Sequence, residues 1–145
     1  MSKMLGGRCS LAASLVPLLT LVSFAQSPSA NIARDGSQSR ITGTWRGNSE
    51  CTVKNSPCHD EINVYRFSEI KEKPGWITGV GSKIVDSKEV FMGTLEWSYD
   101  AETRTLKSEF PNGTFRLVVD GNKIEGYLTL LDKTFYRRIH LKKEN

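Results

Sequence analysis

Histidine is almost missing from this chain: His59 and His140 are the only two among 145 residues, and they stand far apart. Both are expected to face solvent. No Ser/His/acid set, paired carboxylates or Gly-rich phosphate loop accompanies them, so the sequence argues against an enzyme. Sustained helical spacing is lacking too, which excludes a helical bundle. Acidic residues are absent from residues 1–30, a segment that holds Lys3 and Arg8. Cysteine is scarce, with Cys9, Cys51 and Cys58 in all.

The basic, acid-free start leads into an uncharged Leu/Val/Ala-rich run, residues 11–25. That run is shorter than the ~20 residues a bilayer span needs but suits the h-region of a secretory signal. It ends in "SFA", with the small residues Ser23 and Ala25 where signal peptidase requires them. Cleavage is expected after Ala25, with Ala30, behind "PSA", as the alternative. An exported protein follows, periplasmic or secreted, without a transmembrane anchor after cleavage. Cys9 precedes the apolar run, so it cannot be a lipoprotein cysteine and leaves with the signal.

Loss of Lys3 and Arg8 from the 20 basic residues leaves 18 against 16 acidic ones, a net charge of +2. So even a balance gives no reason to expect nucleic acid as a partner. The remaining length allows one domain with one core. Residues 26–40, aperiodic and rich in small polar side chains, read as a flexible lead-in, and residues 41–145 as the domain.

In an oxidising compartment Cys51 and Cys58 are expected to form a disulfide around "CTVKNSPC", contributing roughly 2–3 kcal/mol through loop closure. The competing reading is a metal site, since "CHDE" sets Cys58, His59, Asp60 and Glu61 side by side. Adjacent residues of an extended strand point to opposite faces, so these four do not converge. No metal and no cofactor are expected.

From Ile41 onward, short runs rich in β-branched and aromatic residues recur about every ten residues, bounded by turn residues. Eight strands are predicted, at 41–48, 60–69, 76–85, 89–99, 104–110, 113–119, 123–131 and 134–142. Pro74-Gly75, Asn112-Gly113 and Asp120-Gly121 offer the turn geometries of tight connections, the last two as hairpins with positive φ; "VDSKE", "YDAETR" and "LDKTF" are weaker signals. The fold class is all-β. Of the two arrangements open to such strands, two packed sheets or an antiparallel up-and-down barrel, the barrel is preferred because closure removes exposed edges.

Alternation assigns the faces. Leu95, Trp97 and Tyr99 share one face, as do Phe115, Leu117 and Val119, and Ile124, Gly126, Leu128 and Leu130. On the last strand Phe135, Arg137, Ile139 and Leu141 are expected inward, with Tyr136, Arg138, His140 and Lys142 as an outward polar stripe. On the first, Ile41, Gly43, Trp45 and Gly47 share a face. An inward Arg137 needs a partner, and its place over Trp45 would supply a cation–π contact.

Gly43, Trp45 and Arg137, with Arg138 as the competing arginine, resemble the Gly-x-Trp and last-strand Arg signature of the calycin superfamily: lipocalins, fatty-acid-binding proteins and avidins. The exported chain as a whole is similar to short bacterial lipocalin-like domain proteins of unassigned function. The resemblance implies an eight-stranded barrel in which these three residues are structural. The lipocalin C-terminal helix and second loop motif have no counterpart. "ITGTW" also resembles the start of bacterial avidins, but their biotin-holding tryptophans and polar loops are not matched.

Two functions remain open. Leu95, Trp97, Tyr99, Phe115, Leu117, Ile124 and Leu128 are candidate ligand-binding residues for a small apolar molecule, with Gly126 leaving space. The same side chains can equally fill a small barrel. Trp76 could sit at a cavity mouth or plug it. A filled barrel would act through its surface, as an inhibitor or envelope-associated module. That alternative draws on "INVYRFS", where Ile62 and Val64 lie on one face and Tyr65 and Phe67 on the other, so that something should cover each. Trp45→Ala is expected to cost about 3–5 kcal/mol in a denaturant melt. An equally stable variant that lost only ligand binding would make the seam a site.

Overall fold

The computed structural model of the protein describes residues 40–145. The expected signal peptide (1–25, or to 30), Cys9 and the lead-in up to residue 39 lie outside the described residues.

The described residues form eight strands: β1 Gly43–Cys51, β2 Glu61–Glu69, β3 Trp76–Val85, β4 Lys88–Asp100, β5 Thr105–Phe110, β6 Gly113–Asp120, β7 Lys123–Leu130 and β8 Phe135–Lys143. Each strand pairs antiparallel with the next and β8 pairs with β1, giving a closed up-and-down barrel. The predicted strand bounds hold within three residues.

Alternation explains the core. Trp45, Phe67, Ile77, Trp97, Leu106, Leu117, Ile124, Ile139 and Leu141 are buried inside. Arg46, Arg66, Glu96, Lys107, Arg116, Glu125 and Arg138 are exposed between them. This is the inverse of an outer-membrane barrel, whose apolar side chains face outward. Tyr65 and Phe67 are core residues at 5% and 3% exposure, which removes the expectation that a partner must cover that side of β2.

The turns obey local chemistry with one exception. Gly75 has φ 83° and Gly121 φ 57°, as the Pro-Gly and Asp-Gly signals predict. The tightest hairpin, between Val85 and Lys88, uses positive φ at both Asp86 and Ser87, the type I′ pattern, at one of the weaker signals. At "PNGT" the hairpin is present but Gly113 already belongs to β6, and neither it nor Asn112 has positive φ. Gly113 serves close approach instead: a Cβ there would lie 2.4 Å from the Thr129 carbonyl oxygen.

The seam between β1 and β8 corrects the expected Trp45–Arg137 contact. Trp45 is opposite Lys143, whereas Arg137 is opposite Cys51, six residues along. The cation over the Trp45 ring is Lys143, with Nζ 5.6 Å from the centroid. Lys143 Nζ also donates to the Arg40 carbonyl at 2.7 Å, and the buried indole N–H donates to the Ile41 carbonyl at 2.7 Å. Arg138, the competing choice, is exposed with its guanidinium 5.7 Å from the Tyr127 ring. Alternation gives an inward face but not the cross-seam register, and here register decides the partner.

A second correction concerns the start of β8. Leu128 pairs with Arg137 and Thr129 with Phe135, so Tyr136 is an extra residue in a β-bulge. The bulge switches the faces: Phe135 is 61% exposed, while Tyr136 packs against the core.

The disulfide Cys51–Cys58 is present, with Cα atoms 5.8 Å apart, at the end of β1. Cys51 N–H donates to Asp60 Oδ1 at 2.8 Å.

Gly47 sets how closely the seam can shut. A Cβ on it would come within 1.9 Å of the His140 carbonyl oxygen and 2.8 Å of Leu141 Cα. Both are backbone and cannot swing aside. Gly47→Ala is therefore expected to lower the unfolding free energy read from a urea melt by at least the about 1–3 kcal/mol typical of overpacking, and the midpoint with it. An unchanged midpoint would mean that the seam yields without cost.

Candidate functional site

Chain direction places the Cys51–Cys58 loop and the 85–88, 110–113 and 130–135 turns at one end of the barrel, here its upper end. The interior there is not filled. A cavity of about 260 Å³ lies beneath β3 and β4, just below the range of about 300–1,000 Å³ for ligand pockets. Two features of the sequence make it. Gly79 and Gly81 on β3 and Gly93 on β4 line it, so three inward positions carry no side chain. In addition β4 and β5 pair only between Ser98–Asp100 and Thr105–Lys107. Above that point the strands part, and Met92 and Leu95 of β4 face Phe110 of β5 and Phe115 of β6 across the gap. Ser108 Oγ, donating to the Glu96 carbonyl at 2.7 Å, ties the two strands together there.

Met92 reaches the cavity through a second bulge. Gly81 pairs with Gly93 and Ser82 with Phe91, which leaves Met92 as the extra residue of β4. Asn63 Nδ2 lies 3.8 Å from its sulfur.

The base of the cavity is aromatic. Trp97 packs edge-on to Phe67, with centroids 5.6 Å apart, and against Phe115 at 5.3 Å; Phe110 and Phe115 are 5.5 Å apart. Such pairs stabilise by about 0.5–1.5 kcal/mol each beyond area burial. Tyr65 forms one wall, 3.3 Å from the position a Gly81 Cβ would take.

Beside Tyr65 the interior becomes polar. Glu61 accepts from Lys83 Nζ at 3.0 Å and lies 3.5 Å from Arg137 Nη1. The guanidinium also donates to Ser49 Oγ, the Ser49 carbonyl and the His59 carbonyl, each at 3.2 Å. This is where the inward Arg137 finds its partners. Its carboxylate partner on β2 and its carbonyl acceptors beside the disulfide loop make it a clamp on the upper end of the seam. Burial pushes the Tyr65 phenol from 10.0 up to about 12, with Arg137 pulling it down and Glu61 pushing it up.

The candidate ligand residues divide. Leu95 and Phe115 line the cavity. Trp97, Leu117, Ile124 and Leu128 are packed core at 0%, 0%, 0% and 7% exposure, and the half-buried Tyr99 packs on that core. Tyr65, Gly79, Gly81, Met92, Gly93 and Phe110 were not anticipated. A signal existed for two: glycines two apart in "TGVGS" share a face, and strand glycine marks close approach or space. Trp76 lies at the other end, with Lys73 Nζ 3.5 Å above its ring. In "CHDE", Cys58 is spent in the disulfide and Glu61 in the ion-pair cluster. In the outward stripe, Arg138 and Lys142 are exposed and His140 Nδ1 lies 3.6 Å from Glu125.

No protein-family model matches the chain, and no curated protein matches it.

The Tyr65 phenol gives a pH signature. Its raised folded value means that the unfolded chain ionises first. The stability it contributes is whole below about pH 10 and lost as the pH rises toward 12, about 2 kcal/mol by pH 12. Tyr65→Phe is expected to flatten that part of the stability–pH curve, and an unchanged curve would place the phenol in contact with solvent.

Proposed function

We propose that this chain is an exported, non-enzymatic, lipocalin-like barrel that holds a small, mostly apolar molecule in the cavity beneath β3 and β4. The observation that carries this reading is the cavity's construction. Three glycines and a parting of β4 from β5 leave apolar-lined space in a barrel whose other end is packed solid. Gly81 carries no side chain to fill that space, so its emptiness favours an occupant over a plug. The lining holds no histidine, carboxylate, serine or thiol, which favours binding over catalysis. Export rests on the apolar leader and on the disulfide, a bond that persists in oxidising compartments.

The family reading draws on the closed eight-stranded meander, on Gly43 and Trp45 at the start of β1, and on a cation from β8 over the Trp45 ring. Lys143, in place of the expected Arg137, supplies that cation.

A second reading, a partner-docking module, draws on Phe91, Leu131 and Phe135, exposed by 65%, 70% and 61% at the upper end. Native mass spectrometry of the protein from its host separates the two, because it sees retained ligand and stoichiometry together.

Titration with a small apolar fluorophore is expected to change Trp emission saturably in the wild type and not in Gly81→Leu, whose side chain would occupy the cavity. Leu95→Trp, filling from the neighbouring strand β4, should act alike. Equal binding by all three proteins, or none by the wild type, would overturn the ligand reading.

A further inference from the structure

The reduced sulfur of the described residues comes down to one atom. Cys51 and Cys58 are spent in the disulfide. Met1 and Met4 stand in the expected signal, and Met92 is the only other methionine of the chain. Its side chain is 45% exposed at the rim of the cavity it lines. The methyl end lies 3.7 Å from the position a Gly81 Cβ would take, and the sulfur lies 3.8 Å from Asn63 Nδ2.

Asn63 makes that contact informative. It is a residue of β2 at 2% exposure, where an apolar side chain would carry no desolvation cost. Its amide nitrogen offers two N–H donors and has one hydrogen-bond partner among the described residues, the Met92 sulfur. A thioether is a weak acceptor, so the buried amide is left short of what burial demands. A sulfoxide oxygen, which holds most of the charge of the S–O bond, is a strong one. An oxygen added to the sulfur on the Asn63 side would stand within the 3.8 Å that now separates the two atoms and complete the bond.

We infer that Met92 is an oxidation site that switches the cavity, and that Asn63 is the donor that holds the oxidised side chain in the cavity wall. The oxidant is a peroxide. The sulfur lone pair attacks one peroxide oxygen, the S–O bond forms as the O–O bond breaks, and the other oxygen leaves as water with both protons. Sulfur is oxidised by two electrons and the peroxide is reduced by two. The product is polar and chiral where the thioether was flexible and apolar. Held by Asn63, it faces a cavity otherwise lined by Tyr65, Leu95, Phe110, Phe115 and glycine backbone. An apolar ligand packed on it must strip water from the sulfoxide, which costs affinity. This rests on the ligand reading above and adds its regulation, with binding in the reduced state and release on oxidation.

Treatment with hydrogen peroxide, read by intact mass and peptide mapping, tests the modification. One oxygen per chain is expected, at Met92, and a methionine sulfoxide reductase should remove it. Titration with the apolar fluorophore N-phenylnaphthylamine tests the switch, its affinity falling about tenfold on oxidation and recovering on reduction. In Met92→Leu, whatever its own affinity, peroxide should change nothing. In Asn63→Leu, Met92 still oxidises, but its sulfoxide is free to turn to solvent and the loss should shrink to about twofold. If Asn63→Leu fails to fold, a downfield move of the Asn63 side-chain amide resonances on oxidation of the wild type, read in a 1H–15N spectrum, takes its place. A Met92 that stays reduced while a short methionine peptide is converted, or an oxidised protein of unchanged affinity, would overturn the switch and spare the ligand reading. A tenfold loss in Asn63→Leu as well would remove Asn63 as the holding donor. No binding by the reduced wild type would overturn both readings.

Discussion

The pairing of β1 with β8 is the constraint on which the rest of the structure depends. Without it the eight strands would be an open meander with two unpaired edges and a one-sided apolar face. With it, inward residues from all eight strands converge on one core. The pairing is tight because Gly47 lets β1 backbone approach the His140 and Leu141 backbone more closely than any side chain allows. It is pinned at both ends by different chemistry. At the lower end Trp45 lies beneath Lys143 and donates to Ile41; at the upper end Arg137 joins Ser49, His59 and Glu61.

Closure at fixed strand number leaves an interior that must be filled or left open, and the two ends differ in how they meet that demand. The lower end is packed with Trp45, Ile77, Leu106, Ile124 and Leu141. The upper end divides between an ion-pair cluster on the β8–β1–β2–β3 side and an apolar cavity on the β3–β6 side. Tyr65 stands between them, its phenol close enough to Glu61 and Arg137 to feel both charges. Charged groups that satisfy one another leave the neighbouring space apolar, so whatever enters meets hydrocarbon, ring faces and few polar atoms.

Bulges shape this arrangement as much as regular pairing does. Met92 reaches the cavity and Tyr136 reaches the core because each is the extra residue of its strand. A strict two-residue alternation would have directed Phe135 inward in place of Tyr136. The same device that bends the sheet enough to close it thus re-aims two large side chains.

Strand number, strand bounds, hairpin connectivity and the disulfide were legible from the chain alone, because alternation and turn chemistry are local: residues two apart share a face, and Asp-Gly or Pro-Gly turns wherever it stands. The all-β barrel followed from those signals, and so did the core positions Trp97, Leu117 and Ile124. Three things were decided only in three dimensions. The partner of Trp45 depended on the β1–β8 register, which no local signal states. The cavity depended on where β4 leaves β5 and on glycines from two strands meeting, so Leu95 and Phe115 line it while equally inward Leu117 and Ile124 are packed solid. The meeting of the Met92 sulfur with the buried Asn63 amide depended on the bulge in β4. Sequence assigns each residue a direction; only the closed sheet decides what it meets there, because contacts across a barrel join residues far apart in the chain.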